Sequence, residues 1–274
     1  MSNTKELQLK ILEIYKAVRI ILEKHNLRYF AIGGTAIGAV RHGGFIPWDG
    51  DMDIAMPRED YNKLLEVLEQ ELPENYEFRK PSKSIHHNCK FAKVIDKTTT
   101  VIEAHTQFYK DCDGGVFLDI FPVDGISDNK IIRFTDLVIQ NIVGISDFIF
   151  SFDILFLGTL LKPFGIQKLC RYIHYKNAAK YSVYKTKEFA FKWIYPKNNS
   201  LTLNSDWIKE IIDLKFEDTT VKIFKDYDDY LKTNFGNYMK MPPLMLQHDK
   251  HMPVYINLNE PYSTYRLHKK NKTL

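Results

Sequence analysis

The sequence has few cysteines, no strong excess of charge, and no uninterrupted apolar run. Three cysteines, Cys89, Cys112 and Cys170, occur in 274 residues. Being odd in number and without a Cys-x-x-Cys pair, they exclude a disulfide framework and a cysteine-rich zinc centre, and a reducing compartment is expected. Against 34 Asp and Glu stand 38 Lys and Arg, a net charge of +4. That balance is too even to mark a nucleic-acid binder, so no nucleic acid is expected as partner. The opening residues, MSNTKELQLKILEIYKAV, lack the apolar segment and small-residue cleavage site of a secretory signal, so the expectation is a cytoplasmic protein. The most apolar stretch, 137–161, is long enough to cross a bilayer but is interrupted by Gln140, Asn141, Asp147 and Asp153. Each central Asp would cost about 2.5–3.5 kcal/mol on insertion, so the stretch reads as a buried or interfacial helix. No internal repeat is visible.

What is present is an ordinary globular composition: 45% hydrophobic, 26% charged and 14% aromatic residues, with 13 Gly and 11 Pro. Disordered and collagen-like classes are thereby excluded. A chain of this length is near the size at which one core divides, so one catalytic core with a large insertion is expected. Over 5–25, Leu7, Ile11, Ile14, Val18, Ile21 and Leu22 recur at helical spacing, and an amphipathic helix follows. A short β-run over 28–32 stops at Gly33-Gly34, after which Thr35 is placed to cap a brief helix through Val40. An ordered loop over 42–50 leads into the alternating run Asp51-Met52-Asp53-Ile54-Ala55-Met56. Pro57, Glu59 and Asp60 suit a helix first turn, and Tyr61, Leu64, Leu65 and Leu68 carry its apolar stripe to about Leu72. Further β-like runs are 91–95, 99–104 and 116–121.

The chemistry is concentrated in the Asp-x-Asp run. Residues two apart on a strand share a face and lie about 6.6–6.8 Å apart, so Asp51 and Asp53 repel unless a cation lies between them. Mg²⁺, or Mn²⁺ in its place, answers that need, since Mg²⁺ commonly binds through one or two carboxylates plus substrate phosphates. Asp119 is the only charge in the strand-like run from Gly114 to Phe121. An apolar strand buries a carboxylate at high cost unless a cation or hydrogen bonds compensate, so Asp119 is a candidate metal ligand or base. Asp49 is a further candidate if the strand begins early. An Asp-x-Asp pair alone also reads as a solvated turn, and Gly-Gly alone as a simple turn. Their joint order is more specific, because backbone amides at a helix start bind phosphate.

The run GTAIGAVRHGGFIPWDGDMDI over 34–54 strongly resembles the signature of the LicD family of phosphocholine and sugar-alcohol-phosphate transferases. The resemblance continues through 56–61, 92–99 and 117–125, and returns loosely at 235–243. It implies an α/β (α+β) fold: a nucleotidyltransferase-like mixed sheet core flanked by helices, with a helical insertion. The implied layout is a catalytic core at 1–128, a helical, basic insertion at 129–200, and a C-terminal segment completing the active-site cleft at 201–274. Asp51, Asp53 and Asp119 would hold divalent metal; with Asp49 they form the catalytic set. Gly33, Gly34 and Thr35 would face the phosphates of a CDP-linked donor.

The implied reaction moves a phospho-alcohol, phosphocholine first among them, to a hydroxyl of a glycan or lipid-linked glycan, releasing CMP. Lipopolysaccharide, teichoic acid and capsule are the acceptor classes. Arg41, Lys90 and Lys93 are candidate phosphate binders. Arg41 also suits a helix C-terminus, and the lysines suit exposed strand positions. His42 and Trp48 complete the candidate substrate set, although His42 reads equally as a loop residue. For a choline cage, Phe45, Trp48, Tyr61 and Tyr238 are available, with ordinary packing as the other reading. The same metal geometry serves NTP-dependent nucleotidyl transfer to a small acceptor, and ribitol or glycerol phosphate could replace phosphocholine.

The chain departs from the family pattern at Ala36-Ile37, where a bulky Leu pair is commoner, at Gly50, and in the C-terminal segment after Pro243. Gly50 replaces a commoner third acid; pointing opposite to Asp51, it should spare the metal. At 244–249 the chain reads LMLQHD where a basic, His-containing run is usual. Between Lys162 and Lys197 there are nine Lys or Arg against the lone Glu188, a local net charge of +8. With the apolar stretch before it, this reads either as a surface for an anionic bilayer at the inner membrane face or for a lipid-linked acceptor, or as a helical subdomain with a solvated basic face.

Overall fold

The structure, a computed structural model, describes residues 2–81, 91–104, 114–152, 160, 164–191, 202–249 and 251–265. Helix α1, Ser2–Lys24, buries Leu7, Ile11, Ile14, Tyr15, Val18 and Leu22 along one stripe. Burying each such side chain contributes roughly 1.5–3 kcal/mol. The helix ends where Asn26 turns left-handed at φ 49° and the Leu27 N–H reaches back to the Leu22 carbonyl. The chain then forms β1 (Phe30–Ala31), α2 (Gly33–His42), β2 (Asp53–Pro57) and α3 (Arg58–Glu71). The next elements are β3 (Tyr76–Arg79), β4 (Ala92–Asp96), β5 (Thr100–Glu103) and β6 (Phe117–Ile126).

The main sheet has the order β1-β2-β6-β4-β3, with β2 and β6 parallel and the other pairs antiparallel. Helices α1 and α3 pack on it, so the fold is mixed α/β. Strand β6 runs five residues beyond the expected end at Phe121, straight through Pro122. The break in its pairing explains this tolerance. Pairing with β4 ends at Ile120, and β7 (Glu188–Ala190) pairs only from Asp124. The Asp119 N–H points to β2, so by alternation Pro122, which has no N–H, faces the gap. Strand β3, absent from the sequence expectation, is four half-buried residues at the sheet edge with only Tyr76 and Phe78 as apolar signal.

Within 129–200, α4 (Lys130–Phe152) and α5 (Ile166–Ala178) pack against each other. The chain then returns to the sheet as β7, followed by β8 (Leu203–Asn204). A hairpin of β9 (Ile211–Phe216) and β10 (Thr219–Phe224), helix α6 (Tyr227–Phe235) and strand β11 (Pro253–Asn257) complete the described chain, with β11 pairing β5. Among the described residues no helix is long and apolar enough to cross a membrane. Cys170 is a free thiol, and Cys89 and Cys112 lie outside the described residues.

A buried ion pair ties α3 to the sheet. Arg58 donates from Nε and Nη2 to the two Asp124 oxygens at 2.7 and 2.6 Å, with both side chains almost wholly buried. Removing one partner of such a pair leaves an uncompensated charge in the core. Arg58→Met should therefore lower unfolding free energy by about 3–5 kcal/mol in urea melts, and Arg58→Met with Asp124→Leu should recover most of that loss.

Candidate active site

The site gathers where β2 and β6 run side by side. Their register sets Asp53 directly beside Asp119, on neighbouring strands about 4.8 Å apart. The Asp53 N–H donates to Thr35 Oγ1 at 2.8 Å, and the Ile32 N–H donates to the Asp53 carbonyl at 3.2 Å. The Asp119 N–H donates to the Met52 carbonyl at 3.1 Å. Thr35 is thus not the helix cap expected from sequence. Helix α2 begins two residues earlier, Ile32 occupies the capping position without a side-chain bond, and the Thr35 hydroxyl ties helix to strand. Asp51 likewise precedes the strand, because β2 starts only at Asp53.

The loop before β2 brings in Asp49. Gln8 donates to the Ile46 and Asp49 carbonyls at 3.0 and 2.9 Å, fixing the loop on α1. The Asp49 carboxyl then shares a hydrogen bond with Asp51 and lies over Gly34, where any Cβ would overlap its Oδ2. Gly34 is therefore required by the close approach of a carboxylate to the helix start. The same holds at Gly50: the space a Cβ would take is filled by the Asp249 carboxylate, brought from the far end of the chain.

Two cations face this acid cluster. Lys93 on β4 is the cross-strand partner of Asp119, with Nζ 3.0 Å from Oδ2 and 2.8 Å from Oδ1. Its ammonium also lies 3.7 Å from the centre of the Phe117 ring. His251, 200 residues from Asp51, places Nε2 2.9 Å from Asp51 Oδ2 and Nδ1 on Glu103 Oε1. The pairing of β5 with β11 carries Glu103 and the His251 segment to the same place.

Burial, then the Asp51 charge, pushes the Asp49 carboxyl up to about 8. Burial would raise Asp51 too, but hydrogen bonding and charge from His251 hold it below its ordinary range. Asp53 is driven well up by burial and by the Asp51 and Asp119 charges. Burial lifts Asp119 to about 6 against the pull of Lys93. Hydrogen bonds to Asp51 and Glu103 raise His251 to about 11, so it is an imidazolium at neutral pH.

The other expected site residues sit differently. Arg41 is at the far end of α2, roughly 10 Å along its axis from Gly34, and donates to the Tyr238 carbonyl at 2.6 Å. His42 beside it takes a weak bond from Arg41 Nε at 3.4 Å. Trp48 is half-buried in the loop before Asp49. Lys90 lies outside the described residues. Phe45 packs on Phe216, Tyr61 is fully buried in the core, and Tyr238 gives its hydroxyl to Asp228, so these aromatics serve packing. The sequence reading missed His251, Glu103 and Asp249. Its one signal was that the tail at 244–249, which contains Asp249 but not His251, departs from the family pattern.

Residues 26–156 match the family model described as LicD/FKTN/FKRP, nucleotidyltransferase domain. Over 253 residues, 87% of this chain and 92% of the relative, the chain is 27% identical to the lipopolysaccharide cholinephosphotransferase LicD of Haemophilus influenzae. The chain carries a LicD-family domain over residues 26–156. A shorter LicD likeness, 48% over 40 residues, links it to the human ribitol 5-phosphate transferase FKRP, covering 15% of this chain and 8% of that protein. The matched LicD segment contains Asp49, Asp51, Asp53, Lys93 and Asp119, whereas Asp249 and His251 fall beyond it.

Among the described residues no three acid, imidazole or thiolate groups enclose one point as a complete metal shell would. The donor set fits a different kind of ion, one sharing its coordination with phosphate oxygens and water, as Mg²⁺ does. The buried, mutually repelling carboxylates of Asp51, Asp53 and Asp119 support that fit, since Lys93, 2.8 Å from Asp119 Oδ1, balances only one of them directly.

Lys93 can be tested apart from any ion. In Lys93→Met the Asp119 carboxyl loses the cation opposing its burial and should titrate above about 6. A group with a raised folded-state pKa loses stability as pH climbs through that value. With EDTA present, the variant should match wild type near pH 5 and fall about 2–3 kcal/mol behind by about pH 8 in urea melts. A deficit independent of pH would mean that the ammonium serves packing alone.

Proposed function

We propose that this chain is a metal-dependent transferase that moves phosphocholine, or a related phospho-alcohol, from a CDP-linked donor to a hydroxyl of a cell-surface glycan or its lipid-linked precursor. The observation that carries the reading is the convergence of Asp49, Asp51, Asp53 and Asp119 beside the start of α2. Likeness to the Haemophilus influenzae cholinephosphotransferase along nearly the whole of both chains supports the substrate class. In the reaction the acceptor oxygen bonds to the phosphorus bearing the alcohol, and the bond from that phosphorus to the CMP oxygen breaks. CMP leaves with the electron pair.

Mg²⁺ bound by Asp51 and Asp53, with Asp119, would offset the phosphate charge and favour in-line geometry. The chain's own groups do the rest. The start of α2 would turn the positive end of its dipole to a phosphate, while its first amide, the Gly33 N–H, is held by the Tyr230 hydroxyl at 3.3 Å. Lys93 keeps Asp119 ionised against its burial. The hydroxyl proton passes to a carboxylate of the cluster. Asp49 and Asp119 suit that role because burial lifts both toward neutral pH, where proton transfer works best.

The test is a melting screen of wild type and Asp53→Asn with CDP-choline, CDP-ribitol, CDP-glycerol, CMP, ATP and GTP, each with and without Mg²⁺. A ligand at one hundred times its dissociation constant stabilises the native state by about 2.7 kcal/mol, enough to move the melt. A Mg²⁺-dependent shift with one CDP-alcohol, reduced in Asp53→Asn, is expected, and transfer of that alcohol phosphate to glycan would follow. A response to ATP or GTP alone would instead indicate nucleotidyl transfer.

A further inference from the structure

Helix α4 turns an apolar stripe outward. Ile131, Phe134, Ile142 and Ile145 are 75%, 65%, 58% and 62% exposed, and Val138 between them is 40% exposed. The steps of three and four residues put all five on one helix face. The opposite face carries the packing against α5, with Gln140 and Val143 buried. On α5, Leu169, Tyr172 and Ile173 are also exposed. So large an unshared apolar patch on a folded chain marks a contact surface.

Charge decides what the surface fits. The only carboxylate between 129 and 146, Asp136, is buried, with Lys180 Nζ 3.7 Å from its oxygen. The lone acid of the following basic segment, Glu188, is taken by Arg133 of α4 at 2.6 Å. That pair also holds the 185–188 segment beside α4. Lys130, Lys176, Lys185 and Lys187 are all exposed, and the sequence from Lys162 to Lys197 carries +8. With Asp136 and Glu188 internally paired, Asp147 in the C-terminal part of α4 and lysines around it, the apolar stripe has the pattern of a helix that lies in a membrane interface.

We propose that the α4–α5 hairpin is a peripheral docking surface for an anionic phospholipid bilayer, with the α4 stripe seated among the headgroups. The geometry favours lying on the membrane, since no described helix is apolar and long enough to span it. This inference does not depend on the transfer reaction, and each can fail without the other.

The experiment is co-sedimentation of the full chain with vesicles of phosphatidylcholine alone and of equal parts phosphatidylcholine and phosphatidylglycerol, at low and high salt. Binding to the anionic vesicles, weak binding to the neutral ones and release by salt are expected. Phe134→Ser with Ile142→Ser, and separately Lys176→Glu with Lys185→Glu, should each lower the partition coefficient by roughly tenfold or more. These positions are exposed, so unchanged melting temperatures are expected to accompany the losses. Failure of wild type to bind anionic vesicles would overturn the proposal. So would a dimer that the Phe134→Ser, Ile142→Ser pair dissolves, because the stripe would then belong to a second copy.

Discussion

Like-charge repulsion is the constraint that organises this structure. Four carboxylates, Asp49, Asp51, Asp53 and Asp119, are held in a largely buried space where burial and the Asp51 charge raise the cost of ionising the other three. The fold meets that cost with two cations from different directions. Lys93 arrives across the sheet, and His251 arrives from the end of the chain, itself balanced by Glu103. The arrangement stores unsatisfied negative potential at the start of a helix, where a cation and phosphate groups together would relieve it. Stability alone would be better served by apolar residues of similar size, so the cluster points to a task.

Much of this was legible in the sequence because it is local. The closeness of Asp51 and Asp53 in sequence and the lone Asp119 pointed to the cluster through the cost of burying charge, although Asp51 precedes β2 and Gly33-Gly34-Thr35 open α2 instead of forming a turn. The family resemblance then joined them. What alternation could not supply was the shape of the junctions. Thr35 looked like a cap, since Thr before a helical run usually is one, but its hydroxyl is better used on the Asp53 amide. The long strand β6 looked shorter because proline normally ends a central strand, and only the gap between β4 and β7 makes Pro122 acceptable.

The partners of the acids were not legible for a plainer reason. His251 and Asp249 stand about two hundred residues from the groups they meet, and their neighbours in sequence carry no periodic signal. Gly50 shows the limit most clearly. Read alone it is a missing acid, whereas in space an acid is present there, supplied by Asp249. A side chain at position 50 and the carboxylate at position 249 cannot both occupy that volume. The departure at Gly50 and Asp249 of the departing tail thus meet in space.

The parallel pair of β2 and β6 carries this arrangement because it has opposite electrostatics at its two ends. At one end Asp53 stands beside Asp119 and the strands repel. Five residues on, about 17 Å away, Arg58 follows the last residue of β2 and grips Asp124 of β6 from the core. Slipping the register by one residue would separate both pairs and turn every inward side chain outward. The attractive pair and the apolar faces of Ile54, Met56, Leu118 and Ile120 thus hold in place the repelling pair, which has no cohesion of its own. A site that needs carboxylates close together is built where the strands cannot move apart.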